Sequence, residues 1–297
     1  MADARVLVDG YSYLESPRWH AGRLWASDFY THQVIAVGLD GAVEKMADVV
    51  QQPSGLGWLP DGRLLIVSMR DRKLLRREHD GTLVVHADLY SDSDWHANDM
   101  VVDSVGRAYV SNFGFDLMAL APMRTTKLLR ADPDGSSHVV ADGLLFPNGM
   151  VLTPDERTLI VAETLAQRLT AFDVGPDGSL ANRRVWAAFG DPPESDDLVA
   201  GLAKASAAPD GMALDADGAI WAADGLANRA LRVREGGEIV QEVTCGGLGV
   251  YACALGGHDG RTLFLCAAPT FLEQRARASH QASIWTYRVA VPHAGRP

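Results

Sequence analysis

In Pro209-Asp-Gly-Met-Ala-Leu-Asp-Ala-Asp-Gly-Ala-Ile-Trp-Ala-Ala-Asp224, two short apolar runs flank a turn rich in Asp and Gly. This pattern is typical of two antiparallel strands joined by a tight turn. Five further copies of it occupy residues 15–28, 53–68, 97–112, 147–163 and 251–266. The copies recur at intervals of roughly 40 to 60 residues, which is the length of a β-propeller blade with four short strands.

More strand-like sequence follows the hairpins, as in Gln33–Val37 and Arg168–Phe172, and no stretch predicts a long amphipathic helix. We therefore predict an all-β fold, a six-bladed β-propeller with four antiparallel strands per blade, as one domain over residues 1–297. Closure is expected from pairing of Val6-Leu-Val-Asp9 with Ile284-Trp-Thr-Tyr-Arg288. Joining the two ends of the chain in one blade removes the open edge of a sheet.

The composition restricts the partners of the protein. A formal charge of −11 disfavours binding to nucleic acid, which needs a basic surface. No apolar run is long enough to cross a bilayer, so no membrane partner is expected. The first residues, Met1-Ala-Asp-Ala-Arg5, lack the layout of a secretory signal. These features predict a cytoplasmic protein, present as a monomer or a small homo-oligomer.

The chain has three cysteines, an odd and sparse set that does not indicate a disulfide framework. Cys253 and Cys266 could face each other across the last hairpin, but buried reduced thiols are the expectation.

One position of the repeat holds several residues with oxygen donors that suit a metal ion. Its six residues are Glu15, Ser54, Asn98, Asn148, Asp210 and Ala252. In a propeller, equivalent positions at the starts of the innermost strands surround one mouth of the central channel. Carboxylate and amide oxygens suit a hard divalent ion, and two carboxylates balance its charge. We expect one cation, with Ca²⁺ first, and with Mg²⁺, Mn²⁺, Zn²⁺ or Fe²⁺ left open. The alternative is that Asn148-Gly149 and Asp210-Gly211 are ordinary turns.

A second set of residues ends the following strand of each hairpin. It consists of Asp28, Met69, Asn112, Glu163, Asp224 and Ala267. An antiparallel hairpin returns to the end from which it began, so these side chains should lie near the same mouth. They are expected either to orient the metal ligands by hydrogen bonds or to act as strand-end turn residues.

Four motifs in order carry a resemblance to a known family: Glu15-Ser-Pro, Asn98-Asp99, Pro147-Asn-Gly-Met150 and Pro209-Asp-Gly-Met212. They resemble the motifs of the gluconolactonase, senescence marker protein and luciferin-regenerating enzyme family over essentially the whole chain. The resemblance implies a six-bladed propeller with one divalent cation in its channel and, in many members, lactone hydrolysis. It also implies that Glu15, Asn148 and Asp210 are metal ligands and that Asn98 is a fourth ligand or a substrate contact.

One residue departs from the family pattern. Sugar lactonases often carry Arg two places before the Asn of the second motif, where this chain has His96. Loss of a guanidinium group removes a good partner for sugar hydroxyls or a carboxylate. His96 could be a general base or a neutral hydrogen-bond donor, or only a surface residue.

Two long loops, residues 113–126 and 187–208, are expected to form the rim of the channel mouth or a lid. The apolar side chains expected to line the site are Phe113, Phe115, Leu117, Met118 and Met123 of the first loop, with Phe29, Tyr30 and Phe271 from other blades. Alternatively, these residues only pack the loops onto the propeller. If they line the site, the substrate is less polar than a sugar lactone.

The sequence thus predicts a metal-dependent hydrolase that opens a small-molecule lactone or ester, with Asp210, Asn98 and His96 as candidate catalytic residues. Asn98, His96, Phe113 and Phe115 are the candidate substrate contacts. No Gly-x-Ser-x-Gly or His-Glu-x-x-His motif occurs. The alternatives are another enzyme on the same scaffold, namely an isomerase, a dehydratase or a strictosidine-synthase-like enzyme, and a non-enzymatic binding propeller with a structural cation.

Overall fold

A computed structural model describes residues 4–295 and confirms the predicted six-bladed β-propeller, with six antiparallel four-stranded sheets around a common axis. The chain starts with β1 (Arg5–Tyr11), which belongs to the last blade. Blade 1 comprises β2 (Leu14–His20), β3 (Arg23–Asp28), β4 (Gln33–Val37) and β5 (Val43–Asp48). Blade 2 comprises β6 (Pro53–Trp58), β7 (Leu64–Ser68), β8 (Lys73–Arg77) and β9 (Leu83–Asp88). Blade 3 comprises β10 (Ala97–Val102), β11 (Ala108–Asn112), β12 (Thr126–Ala131) and β13 (Ser137–Leu144).

The remaining blades follow the same order. Blade 4 comprises β14 (Pro147–Leu152), β15 (Thr158–Glu163), β16 (Arg168–Val174) and β17 (Leu180–Ala188). Blade 5 comprises β18 (Pro209–Leu214), β19 (Ile220–Asp224), β20 (Arg229–Val233) and β21 (Ile239–Thr244). Blade 6 comprises β22 (Gly249–Gly256), β23 (Thr262–Ala268), β24 (Ala282–Arg288) and the amino-terminal β1.

The predicted closure of the ring is confirmed. Strand β1 pairs with β24 in an antiparallel register that places Val6 opposite Trp285 and Val8 opposite Ile284. The outermost strand of blade 6 thus comes from the other end of the chain, which ties blade 6 to blade 1.

Apolar side chains between neighbouring blades form the core. Between blades 1 and 6, Leu24 and Ile35 share one buried cluster with Phe264 and Ile284. Comparable clusters join blade 4 to blade 5 and blade 3 to blade 4. Each sheet therefore buries both faces, and the innermost strands are held around the channel.

Every innermost strand has a register shift at the predicted metal-binding position. The shifts lie between Glu15 and Arg18, Pro53 and Leu56, Ala97 and Met100, Pro147 and Met150, Pro209 and Met212, and Val250 and Ala252. Such bulges redirect side chains and are common beside functional sites. Asn148-Gly149 and Asp210-Gly211 lie inside these strands, so the alternative that they are simple turns is wrong.

Two short α-helices interrupt the loops of the described residues: α1 (Leu198–Lys204), within the predicted rim loop 187–208, and α2 (Glu273–Ser279). Asp197 caps α1 by accepting a hydrogen bond from the N–H of Ala200 at 2.9 Å. Within residues 4–295, neither helix has the length or apolarity to cross a membrane. Cys245, Cys253 and Cys266 are buried free thiols, and Cys253 lies opposite Leu265 rather than Cys266.

Candidate active site at the channel mouth

A chain of hydrogen bonds links the predicted ligands on neighbouring blades. The Ser54 hydroxyl donates to Oδ1 of Asn98 at 3.2 Å, and Nδ2 of Asn98 donates to Oδ1 of Asn148 at 2.8 Å. Nδ2 of Asn148 then donates to the Thr164 hydroxyl at 3.2 Å. The Thr164 hydroxyl donates to the carbonyl oxygen of Pro209 at 2.8 Å. The structure therefore brings the amide side chains of blades 3 and 4 together and connects them to blade 5.

The two carboxylates of this set, Glu15 and Asp210, influence each other. Burial, and next the charge of Asp99, raises the pKa of Glu15 to about 8. Burial, and next the charge of Glu15, raises the pKa of Asp210 well above its ordinary value. A hydrogen bond from the N–H of Ser16 at 3.2 Å, and next the side chain of Tyr13, act to lower the pKa of Glu15 against this shift. The protein itself therefore leaves negative charge at the channel mouth insufficiently compensated.

An ion pair lies beside the two carboxylates. Nη2 of Arg18 is 2.8 Å from Oδ1 of Asp99 and also donates to the carbonyl oxygen of Met100 at 2.8 Å. Both side chains of the pair are buried. Arg18 balances Asp99, so the charged forms of Glu15 and Asp210 leave two negative charges unpaired. A divalent cation would neutralise them.

The donor set fits such a cation. It offers two carboxylates and the amide oxygens of Asn98 and Asn148, each of which accepts one hydrogen bond and keeps a second lone pair. No group of three or more His, Cys, Asp or Glu side chains that could hold a metal occurs in residues 4–295. The four predicted ligands offer only carboxylate and amide oxygens, a donor set that suits Ca²⁺ or Mg²⁺ better than structural zinc.

These donors form the floor of a pocket with a cavity volume of about 230 Å³. Glu15, Asn98, Asn148 and Asp210 all contribute to its lining. The aromatic residues of its wall are Tyr13, Phe29, Tyr30, Phe113, Phe146, Tyr251 and Phe271. Leu117, Met118, Leu165, Leu202, Ala208 and Leu226 add aliphatic surface. Phe29, Tyr30, Phe113, Leu117, Met118 and Phe271 are thus placed where the sequence predicts them.

Two other predicted contacts lie elsewhere. Phe115 has no exposed surface and packs behind the wall, with its ring 5.9 Å from that of Phe146. His96 stacks on Trp95 at 5.1 Å and lies 6.2 Å from the ring of Phe113, outside the pocket lining. The predicted contact of Phe115 with the substrate is corrected, because its ring is fully buried. The role of His96, which is not part of the lining, stays a prediction. Burial lowers the pKa of His96, so its ring is neutral near pH 7.

Met123 is also behind the wall. It is buried, and its backbone N–H donates to the carbonyl oxygen of Asp196 at 2.7 Å. The two predicted rim loops, residues 113–126 and 187–208, are therefore joined to each other.

The residues that end the second strand of each hairpin are expected either to orient the metal ligands or to act as strand-end turn residues. In the structure, three of their carboxylates accept hydrogen bonds from backbone N–H groups of the loop that enters the innermost strand of their own blade. The pairs are Asp28 with Tyr13 at 3.0 Å, Glu163 with Leu145 at 2.9 Å and Asp224 with Ala208 at 3.0 Å. These buried carboxylates fix where each innermost strand begins, which makes them structural supports of the site.

Several site residues were absent from the sequence prediction. Tyr13 lowers the pKa of the predicted ligand Glu15, and Thr164 accepts a hydrogen bond from the predicted ligand Asn148. The Arg18–Asp99 pair contributes to the local charge. Tyr251 fills a slot between two glycines, since a Cβ on Gly225 or Gly249 would come within 2.6 Å of its side chain. Tyr13 and Tyr251 lie within two residues of the metal-binding position in their blades, and that proximity is the signal that could have identified them.

The architecture defines a six-bladed β-propeller with a pocket over an oxygen-donor centre at one mouth of its channel. The chain belongs to the SMP-30/Gluconolactonase/LRE-like family, whose conserved region matches residues 14–269.

Curated relatives of the chain include regucalcins and lactonases. Regucalcin of Danio rerio is 27% identical over 194 residues, which are 65% of this chain and 61% of that protein. The 6-deoxy-6-sulfogluconolactonase of Pseudomonas putida is 26% identical over 58% of this chain and 55% of its own length. The pentonolactonase XacC of Haloferax volcanii is 26% identical over 75% and 70%, respectively. The chain therefore spans less than two thirds of the first two of these relatives.

Solved structures share the fold over nearly the full chain. A calcium-binding regucalcin of Agrobacterium tumefaciens superimposes with a TM-score of 0.78 at 19% identity, covering 100% of this chain and 98% of that one. The gluconolactonase XC5397 of Xanthomonas campestris superimposes with a TM-score of 0.74 at 24% identity, covering 98% and 90%.

Proposed function

We propose that the protein is a divalent-cation-dependent lactonase whose substrate is less polar than a sugar lactone and whose preferred cation is Ca²⁺. The observation that carries this proposal is the placement of two undercompensated carboxylates and two amide groups at the floor of an aromatic-walled pocket. Relatives named gluconolactonase, sulfogluconolactonase and pentonolactonase support the reaction class.

The roles follow from the donor atoms. A bound divalent cation supplies Lewis-acid polarisation of a carbonyl oxygen and makes water more acidic. Glu15, Asn148 and Asp210 would hold it, and Asn98 would either join them or use its second amide N–H to bind the substrate oxygen. Asp210 accepts the proton of the attacking water and returns it to the ring oxygen as the carbon–oxygen bond of the ring breaks. The product is the open-chain hydroxy acid.

The polarity of the wall supports a weakly polar substrate. The Tyr30 hydroxyl is engaged with the carbonyl oxygen of Phe271 at 2.6 Å, and that of Thr164 with Pro209. No Lys, Arg or His is among the described residues that line the pocket. The hydroxyl groups of a sugar lactone would therefore lose water without finding enough partners.

The test is to strip the protein with chelator and follow acid release from sugar, aliphatic and aromatic lactones with each divalent ion restored. We expect turnover of aliphatic or aromatic lactones to return with Ca²⁺ and to exceed that of sugar lactones. Failure of every lactone with every ion would refute the enzyme assignment. A preference for sugar lactones would refute only the statement on polarity.

Cation binding is tested separately by calorimetry. Glu15→Gln and Asp210→Asn should each weaken Ca²⁺ affinity by about tenfold or more, because each removes half of the countercharge. Glu44→Gln and Asp217→Asn are matched controls on exposed side chains that pair with Arg23 and Arg232. Unchanged affinity in both site variants would show that the ligands are misassigned.

A further inference from the structure

Large apolar side chains from blades 3, 4 and 5 line the pocket and range from buried to exposed. We call this set the apolar track, and its residues are Phe113, Leu117, Met118, Phe146, Leu202 and Leu226. The most buried of them, Phe146 and Phe113, are 5% and 8% exposed. The most exposed, Met118 and Leu226, are 42% and 40% exposed. Large apolar side chains of the lining thus remain in contact with water.

The two segments that carry four of the six track residues pack on each other. The N–H of Met123 bonds to the carbonyl oxygen of Asp196, which joins the loop of Leu117 and Met118 to the segment before α1. A Cβ on Gly201 of α1 would lie 3.0 Å from the methyl group of Met123, so the helix packs closely on this loop. Leu198 of α1 is 3% exposed and belongs to the same core cluster as Phe113 and Met123.

The polar end of the pocket determines where the reacting group of the ligand lies. The reacting group must lie over Glu15, Asn98, Asn148 and Asp210, which form the only strongly polar part of the described lining. A substituent on the reacting ring would then lie against the apolar track, whose most exposed residues are Met118 and Leu226. Such a substituent gains from burial against apolar carbon, and a charged or hydroxylated one does not.

We propose that the track binds an extended alkyl or aryl substituent of the lactone, so that the substrates are neutral lactones with an apolar side chain of several carbons. This inference rests on the proposed function for the identity of the reacting ring. Because the track opens to solvent, the length of the substituent is not limited by a closed end. The selectivity is therefore for apolar length rather than for one defined size.

The test uses γ-lactones that carry methyl, butyl, hexyl and octyl groups on the ring carbon next to the ring oxygen, with the Ca²⁺-loaded protein. We expect kcat/KM to rise by about threefold per added methylene while the track is being filled, since a buried methylene contributes at most ~0.8 kcal/mol. In parallel, calorimetry measures binding of the methyl- and octyl-substituted γ-lactams, which share the shape of the lactones and resist hydrolysis. The octyl lactam should bind at least about tenfold more tightly than the methyl lactam.

Variants test whether the apolar track causes the dependence on chain length. Replacing both rim residues in the double variant M118S/L226S should lower the octyl-to-methyl ratio of kcat/KM, and of lactam affinity, by about tenfold. L226M keeps an apolar side chain and should retain the ratio. V105S is the matched control, because Val105 is 56% exposed in the turn between β10 and β11, at the far end of that hairpin from Asn98.

The outcomes separate this inference from the proposed function. Lactone turnover without dependence on chain length would overturn the apolar track and leave the lactonase assignment intact. Absent turnover together with chain-length-dependent lactam binding would refute the lactonase assignment and support the track. Equal binding of both lactams, or an unchanged ratio in M118S/L226S, would overturn the track.

Discussion

The buried Tyr13 side chain in the pocket wall acts on the Glu15 carboxylate and lowers its pKa. Partners of metal ligands typically contribute a factor of about 10 to 100 in metal affinity, because they hold the ligand in its binding orientation. Tyr13→Phe should therefore weaken Ca²⁺ binding by about tenfold while leaving the aromatic ring in place. Isothermal titration calorimetry on the chelator-stripped protein gives the affinity directly.

Tyr30→Phe is the matched control for Tyr13→Phe. Its hydroxyl donates to the carbonyl oxygen of Phe271 at 2.6 Å, so its removal takes nothing from Glu15. Both variants lose one buried hydroxyl in the same pocket, and only the first should change cation affinity. Equal Ca²⁺ affinities of the two variants would contradict a role for Tyr13 in orienting Glu15.

Glu163 couples stability to pH. Burial acts to raise its pKa, but hydrogen bonds from Arg168, Thr170 and the N–H of Leu145 outweigh burial and hold it below the ordinary value. A depressed pKa in the folded state contributes stability above the unfolded value of about 4.3. That contribution is lost as the pH falls through the folded pKa.

Glu163→Gln should accordingly reduce the free energy of unfolding by about 3 kcal/mol at pH 7, since it breaks a buried ion pair. The difference from the wild type should shrink at pH values below about 4. Urea unfolding at several pH values with chelator present measures both quantities, and Glu194→Gln, on an 88% exposed side chain, is the control. A difference that stays constant down to pH 3 would argue against this linkage.

At the scale of elements, the bulges of the innermost strands and the glycines beside them place the ligands. A Cβ on Gly149 would lie 2.5 Å from the carbonyl oxygen of Asp210, and one on Gly211 would lie 2.6 Å from the Cβ of Ala252. These glycines are needed because neighbouring innermost strands approach closely. A positive φ is not the reason, since neither residue has one.

Gly149→Ala should destabilise the protein by about 2–3 kcal/mol, because the backbone that it meets cannot move aside. Gly62→Ala is the comparison: its Cβ would meet nothing within 4 Å, and it carries only the strain of φ +84°, worth about 1 kcal/mol. Urea unfolding of the chelator-treated proteins measures which of the two variants loses more free energy of unfolding. If the two variants were equally stable, close packing between blades 4 and 5 would not be what requires Gly149.

The sequence was informative where the repeat is regular. Hairpin boundaries such as Pro147 and Pro209 coincide with the starts of β14 and β18, because apolar alternation and Asp-Gly turns are local signals. The same register brought Asn98 and Asn148 together at 2.8 Å.

For residues outside the repeated hairpins, local sequence patterns do not predict where the side chain lies. Phe113 and Phe115 look alike in the sequence, yet the first lines the pocket and the second is fully buried behind it. His96 is predicted as a substrate contact, yet it stacks on Trp95 and is not part of the pocket lining. The positions of these side chains depend on packing between distant segments. The same holds for helices α1 and α2, which no hydrophobic periodicity in the sequence predicts.

At the scale of the whole molecule, the ring closes through one strand pair, so the stability of the site depends on both ends of the described chain. Strand β1 covers the edge of β24, and β2, which follows β1 directly, carries Glu15. Blade 6 in turn contributes Tyr251 to the pocket wall. Opening the closure would therefore loosen blade 1, which carries the proposed ligand Glu15, from the neighbouring blade 6, where the ring of Tyr251 lies 5.0 Å from that of Tyr13.

Removal of residues 1–9 should expose the edge of β24 and lower the midpoint of thermal unfolding, with aggregation as the edge pairs with other molecules. Ca²⁺ affinity should fall as well, because Glu15 loses the anchoring of the strand before it. Scanning calorimetry, size-exclusion chromatography and calorimetric titration of Ca²⁺ measure the three effects. Val8→Pro, which removes a backbone donor in the strand opposite Ile284, should give a weaker form of the same phenotype. A truncated protein that stays monomeric, with unchanged unfolding midpoint and Ca²⁺ affinity, would show that the innermost strands alone hold the ring together.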